Sequence, residues 1–229
     1  MSHEQQVGSL ERVRLFIFQD EGKGDEMSIR IPELIDPAYG MYVWPCAPVL
    51  AKYVWMRRKW ICGKRVLELG AGTSLPGIVA ASCGAMVTLT DHSGLPRCLD
   101  NCLKSCRANG LEGKVDLLGL TWGEFSPTIF QLPQFDVILA SDCFYDSRDF
   151  ENIMATLHFF LDRNSDAKCW TTYQERSSDR SIEHLLLKWG LHCLHIPLGT
   201  FGAEGPDIAG SNLPSSHTIQ LLEITKETA

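Results

Sequence analysis

The run Val66-Leu67-Glu68-Leu69-Gly70-Ala71-Gly72, followed 21 positions after Gly70 by Asp91 at the end of a second apolar run, constrains this chain more than any other feature. A branched, apolar run that breaks on two glycines reads as a strand turning sharply into a helix. Glycine lets the backbone turn tightly and lets a ligand come close to the main chain. In open α/β sheets the carboxyl ends of the strands are where ligands bind. An acid about 20 residues further on stands at the end of the next strand, placed to accept from both hydroxyls of a ribose. The plainer alternative is a tight turn with no ligand and a solvent-facing aspartate.

The rest of the chain fits such a sheet. Strand patterns at Arg65–Leu69, Ala85–Thr90, Lys114–Leu120, Phe135–Ser141, Ala167–Tyr173, Leu191–Ile196 and Thr218–Ile224 are interleaved with helix patterns. The helix patterns fall at Pro45–Trp60, Leu75–Cys83, Leu95–Asn109, Asp149–Leu161 and Asp179–Trp189. Strands alternating with helices predict a mostly parallel, seven-stranded α/β sheet covered on both faces. No helix pattern separates the final two strands, so they are expected to meet antiparallel. Ahead of this body, Val13–Phe18 and Met27–Ile31 flank a polar, glycine-containing stretch and predict a β-hairpin. The expected organisation is an N-terminal hairpin extension over residues 1–40 and one domain over residues 41–229.

Charge and cysteine content narrow the function. Hydrophobic residues at 45% with charged residues at 21% exclude a largely disordered chain. The net charge of −7 disfavours a grip on bare nucleic acid and suits a basic partner. Nine cysteines, an odd number mostly inside apolar runs, point to a reducing compartment, cytosol or nucleus. No run approaches the roughly 18 apolar residues of a membrane span, so no membrane association is expected. Cys98, Cys102 and Cys106 recur every four residues, which describes one buried helix face rather than a metal site. No metal is expected.

The turn also limits the cofactor. Leu75 stands where a dinucleotide fingerprint needs its third glycine, and no Walker sequence follows. The loop therefore suits an adenosine ligand without phosphates, and S-adenosylmethionine meets that description. Glu68-Leu69-Gly70-Ala71-Gly72 with Asp91 resembles the first motif and acidic loop of seven-strand, Rossmann-like methyltransferases. Tyr42-Val43-Trp44-Pro45, Leu120-Thr121-Trp122-Gly123 and Leu139-Ala140-Ser141-Asp142-Cys143-Phe144-Tyr145 narrow the likeness. Together they resemble methyltransferase family 16, whose hallmark is an Asp-x-x-Tyr motif after the fourth strand. The resemblance runs from about residue 40 to 225. It implies cofactor contacts by Trp44, the Gly70-Ala71-Gly72 turn, Asp91, Trp122 and Ala140. Glu68 and Ser141, which stand in the same motifs, join that set.

Catalytic candidates lie on the same rim. A lysine amine or an arginine guanidine must lose a proton and have its lone pair aimed before it attacks a methyl group. Asp142 is suited to orienting the donor hydrogens, and Tyr145 to forming a wall of the pocket. Glu175, after the fifth core strand, is a second acid for a basic substrate. The plainer readings are a helix-capping aspartate, an exposed tyrosine and a Glu175–Arg176 ion pair. The family implies a lysine in a non-histone protein. A closer likeness to one of its members, through Met41–Ala47, Ser74–Gly77, Thr172–Gln174 and His195–Leu198, implies an arginine of a histone. The rival expectation is a non-catalytic methyltransferase fold that serves as a partner-binding or chaperone-associated scaffold.

Overall fold

The computed structural model describes residues 10–20, 24–35, 41–174, 182–214 and 217–227. It opens with two antiparallel strands, β1 (Leu10–Gln19) and β2 (Glu26–Ile35), in a sheet of their own. Their period of two sorts the residues by face. Phe16, Phe18, Ile29 and Ile31 point inward and are buried, while Val13, Leu15 and Ile17 point outward. Both strands exceed the expected lengths, because Glu11, Arg12 and Glu33 interrupt the apolar pattern without interrupting the pairing.

The main body follows in the order α1 (Cys46–Met56), α2 (Arg58–Ile61), β3 (Arg65–Leu69), α3 (Leu75–Ser82), β4 (Met86–Asp91), α4 (Pro96–Ala108) and β5 (Asp116–Gly119). It continues with α5 (Pro127–Gln131), β6 (Val137–Ser141), α6 (Phe150–Asp162), β7 (Lys168–Gln174), α7 (Glu183–Lys188), β8 (Leu191–His195) and β9 (Ile219–Lys226). The seven strands of the main sheet run β5-β4-β3-β6-β7-β9-β8. β5, β4, β3, β6 and β7 pair in parallel, and β9 lies antiparallel between β7 and β8.

Alternate residues of the central strands feed separate cores. Val66, Val137 and Leu139 face α1, α3 and the hairpin's Phe16 and Ile31. Leu67, Leu69 and Ile138 face α6 and α7. Helices thus cover both faces, as the alternation predicts.

The predicted helix Pro45–Trp60 is two helices. The chain turns at Arg57 (φ −92°, ψ 9°), where no Gly or Pro stands. The next residue explains the turn: Arg58 is held by Asp20 and Asp25 at 2.7 Å each and lies over the Trp55 ring. The short α5 was not predicted, since a single turn carries too little periodicity to be seen. Cys98, Cys102 and Cys106 are buried along α4. Among the described residues no cluster of three or more His, Cys, Asp or Glu is arranged for a metal, and no helix is long and apolar enough to cross a membrane.

Candidate active site

From β3 the chain steps to β4 and β5 on one side and to β6 and β7 on the other. The connections that leave the carboxyl ends of β3 and β6 therefore head in opposite directions, which is where open α/β sheets form a crevice. A cavity of about 480 Å³ occupies this position, within the ~300–1,000 Å³ usual for small-molecule sites.

Its floor is the turn after β3. Gly70 and Gly72 adopt φ of 58° and 53°, a left-handed geometry that side chains resist. The turn is pinned to β4: Ala71 N–H donates to Thr90 O at 2.8 Å, and Gly72 N–H to Asp91 Oδ2 at 2.8 Å. Asp91 Oδ1 accepts from its neighbour His92 N–H, also at 2.8 Å. Burial raises the Asp91 carboxyl above the usual range, while the Gly72 and His92 donors pull it back down. Glu68 is 1% exposed, and its Oε2 accepts from Gly77 N–H at 3.0 Å in the first turn of α3. Burial pushes its carboxyl well above the usual carboxylate range, and the nearby Asp91 adds to the rise.

The side walls come from three other segments. Trp122 follows β5, in a turn fixed by Leu120 N–H to Asp91 O at 2.8 Å and by Gly123 N–H to Thr156 Oγ1 at 2.9 Å. Its half-buried indole rests against Gly70. Tyr42 and Trp44 enter from the segment just before α1, with ring centroids 4.8 Å apart. After β6, Asp142 is 8% exposed at φ 54°, and its N–H donates to Thr172 O at 2.7 Å. Cys143 Sγ donates to Leu69 O at 3.3 Å, tying the ends of β6 and β3 together. Tyr145 lines the same cavity, and its phenol is pushed up to about 12, first by burial and then by neighbouring negative groups that include Asp149.

Of the residues singled out from sequence, Trp44, Glu68, Gly70, Ala71, Gly72, Asp91, Trp122, Ser141, Asp142 and Tyr145 all line this one cavity. Ala140 does not. It is fully buried within β6, and its carbonyl accepts from Thr171 Oγ1 at 2.8 Å. Glu175 lies outside the described residues. Sequence reasoning missed Tyr42, Asp149 and Asn152 as walls. Tyr42 was visible beside Trp44 in the quoted motif. Asp149 entered the sequence analysis only as the first residue of the helix pattern Asp149–Leu161.

The donor set fits S-adenosylmethionine. The walls include four carboxyl groups, Glu68, Asp91, Asp142 and Asp149, and no Lys or Arg. A phosphate would meet no Lys or Arg there, whereas a cationic sulfonium and the ammonium of an amino-acid tail suit the aspartates. Ser141 Oγ is buried with no hydrogen-bond partner among the described residues, a polar atom that a ligand would satisfy. An indole offers a flat apolar surface for an adenine at low entropic cost.

Residues 23–186 match the sequence model of a family described as lysine methyltransferase. The histone-arginine methyltransferase METTL23 of Xenopus laevis is 52% identical over 224 residues, covering 97% of this chain and 94% of that protein. Its namesake in Homo sapiens is 52% identical over 185 residues, covering 81% of this chain and 97% of that protein. This is the member whose likeness is carried by Met41–Ala47. Among solved structures, a Thermus thermophilus 16S rRNA methyltransferase in complex with AdoMet and guanosine superposes with a TM-score of 0.61 at 16% identity. It covers 94% of this chain and 51% of that one, a likeness of fold.

Proposed function

This chain belongs to methyltransferase family 16 and uses S-adenosylmethionine, and from that premise we propose that it transfers a methyl group to a nitrogen of a protein, an arginine of a histone. The observation that carries the reading is the shared cavity. Asp142 and Tyr145 line the same space as Asp91 and Trp122, and no Lys or Arg stands among its walls. Relatives about half identical over most of their length are named histone-arginine methyltransferases, which supports the choice of acceptor.

The cofactor, when bound, supplies an electrophilic methyl group on a sulfonium. The chain's residues do the positioning. Asp91 accepts from the ribose hydroxyls, and Trp122 gives the adenine a flat partner. Asp142 accepts hydrogen bonds from the entering guanidinium and so aims the attacking nitrogen, which is the main help a protein gives an in-line displacement. The proton that nitrogen carries passes to the carboxylate or to water as the N–C bond forms and the C–S bond breaks. Tyr145 keeps its proton through the working pH range and serves as a wall and a donor. The acidic rim suits a basic protein segment, and cytosol and nucleus are where such an acceptor would be met.

The test is mass spectrometry of recombinant histones incubated with the pure protein and labelled cofactor, with Asp142→Asn as control. Methylarginine in the wild-type reaction and its loss in the control support the reading. The family's description favours a second acceptor, a lysine, and methyllysine on a non-histone protein in a lysate would select it. A protein that binds the cofactor yet labels nothing would select the scaffold.

A further inference from the structure

Tyr42 and Trp44 reach the cavity from a segment that is neither helix nor strand, so something else must fix them. Along it the side chains alternate: Met41 and Val43 are buried at 1% and 7%, while Tyr42 and Trp44 line the cavity. Three backbone groups of the segment are held: Trp44 O accepts from Ala47 N–H at 3.0 Å in the first turn of α1, and the other two anchors lie on β2. Leu34 N–H donates to Met41 O at 2.7 Å, and Val43 N–H donates to Glu33 Oε1 at 2.8 Å.

Glu33 is an unusual anchor. Its side chain is 1% exposed, and a buried carboxylate is costly unless its oxygens are satisfied. Both are. Arg12 Nε donates to Oε2 at 2.6 Å, and Arg14 Nη1 donates to Oε1 at 3.4 Å. Arg14 also reaches Ser211 O at 3.1 Å, which fixes it from a third segment. An apolar side chain would pack the hairpin against the body without the cost of a buried charge. The carboxylate adds direction, and that direction points at the N–H midway between the two cavity aromatics.

We infer that Glu33 is a positioning residue for the site: it sets the backbone of Tyr42-Val43-Trp44 and, through it, the aromatic wall at that end of the cavity. The inference rests on the proposed reading only where Trp44 is taken to touch the cofactor. The hairpin is then a working part of the methyltransferase.

The test pairs Glu33→Leu, which fills the space without an acceptor, with Glu33→Gln, which keeps the acceptor and loses the charge. Trp44 emission, read as the difference between each protein and its Trp44→Phe counterpart, needs no cofactor. Glu33→Leu should shift it to the red, and Glu33→Gln should leave it near wild type. Glu33→Leu should weaken S-adenosylmethionine binding by about threefold to tenfold, the worth of one hydrogen bond, with kcat little changed. That penalty should vanish in a Trp44→Ala background, while Glu33→Gln stays within about twofold of wild type. Unchanged Trp44 emission in a folded Glu33→Leu protein would overturn the inference. So would a binding penalty that persists in full without Trp44. If the emission shifts but Trp44→Ala binds the cofactor normally, Glu33 still positions the wall, and it is the cofactor contact assigned to Trp44 that fails.

Discussion

The indole of Trp122 leaves no room for a side chain on Gly70: a Cβ there would stand 2.8 Å from Trp122 Cζ2 and 3.3 Å from Cys143 Sγ. The floor of the cavity and its Trp122 wall are therefore shaped by a single contact. Gly70 also needs its freedom of φ, so two independent constraints fall on one position.

Gly70→Ala should suffer from both. A left-handed alanine costs about 1–2 kcal/mol, and an extra methyl group in a tight contact about 1–3 more. The expected outcome is a melting temperature several degrees lower. Cofactor affinity should fall at least about tenfold, because relieving the clash pushes Trp122 into the cavity. Wild-type affinity by calorimetry would contradict the contact.

Trp122→Ala separates two roles. As a half-buried wall, the indole should contribute about 1–3 kcal/mol to cofactor binding through burial and stacking. Were it only a core residue, the melting temperature would fall and affinity in the folded protein would stay normal. Measuring both in one preparation decides.

Asp91→Ala removes the proposed ribose acceptor and the carboxylate that holds Gly72 N–H. Charge-assisted hydrogen bonds are worth about 1.5–3 kcal/mol each, so binding should weaken at least about tenfold. Circular dichroism should still report the native sheet. Full affinity in a folded variant would remove Asp91 from the cofactor contacts.

Glu68 should leave a signature in stability against pH. Its folded carboxyl is raised well above the ordinary 4.5, so the folded state keeps a proton that the unfolded chain releases. The stability it contributes is fully present below its unfolded value and is lost as pH rises through the folded value. Asp91 shifts in the same direction and adds to the trend. Glu68→Gln should flatten the fall, and urea denaturation of the cofactor-free protein from about pH 5 upward reads it. An identical slope in the variant would show that Glu68 is ionised in the fold.

Asp142→Asn should cut turnover at least about a hundredfold, the lower end for a positioned catalytic group. Cofactor affinity should change far less. Asp142 sits at φ 54°, and asparagine tolerates that region well, so the fold should survive. Wild-type turnover on a confirmed substrate would exclude the proposed role.

Much of this was legible because it is local. The strand Arg65–Leu69, the turn glycines and the acid ending the next strand each announce themselves within a few residues. Contacts between distant segments do not. Nothing around Glu33 signals Val43, and nothing around Arg57 signals the pull of Asp20 and Asp25 on its neighbour. Ala140 shows the converse. Its neighbours Ser141 and Asp142 line the cavity, but it lies one residue back in the strand, where its side chain belongs to the core.

The place of β9 in the sheet matters most while the protein is being made. β8 pairs with β9 alone, and β9 also covers the edge of β7. A ribosome delivers β7 and β8 first, and His195 precedes Ile219 by 24 positions. At about 5–20 residues per second, the nascent chain holds one bare edge and one unattached strand for a second or more. Exposed edges template association between chains. A stop codon between His195 and Ile219 would make that condition permanent, removing two strands from the sheet by deleting one.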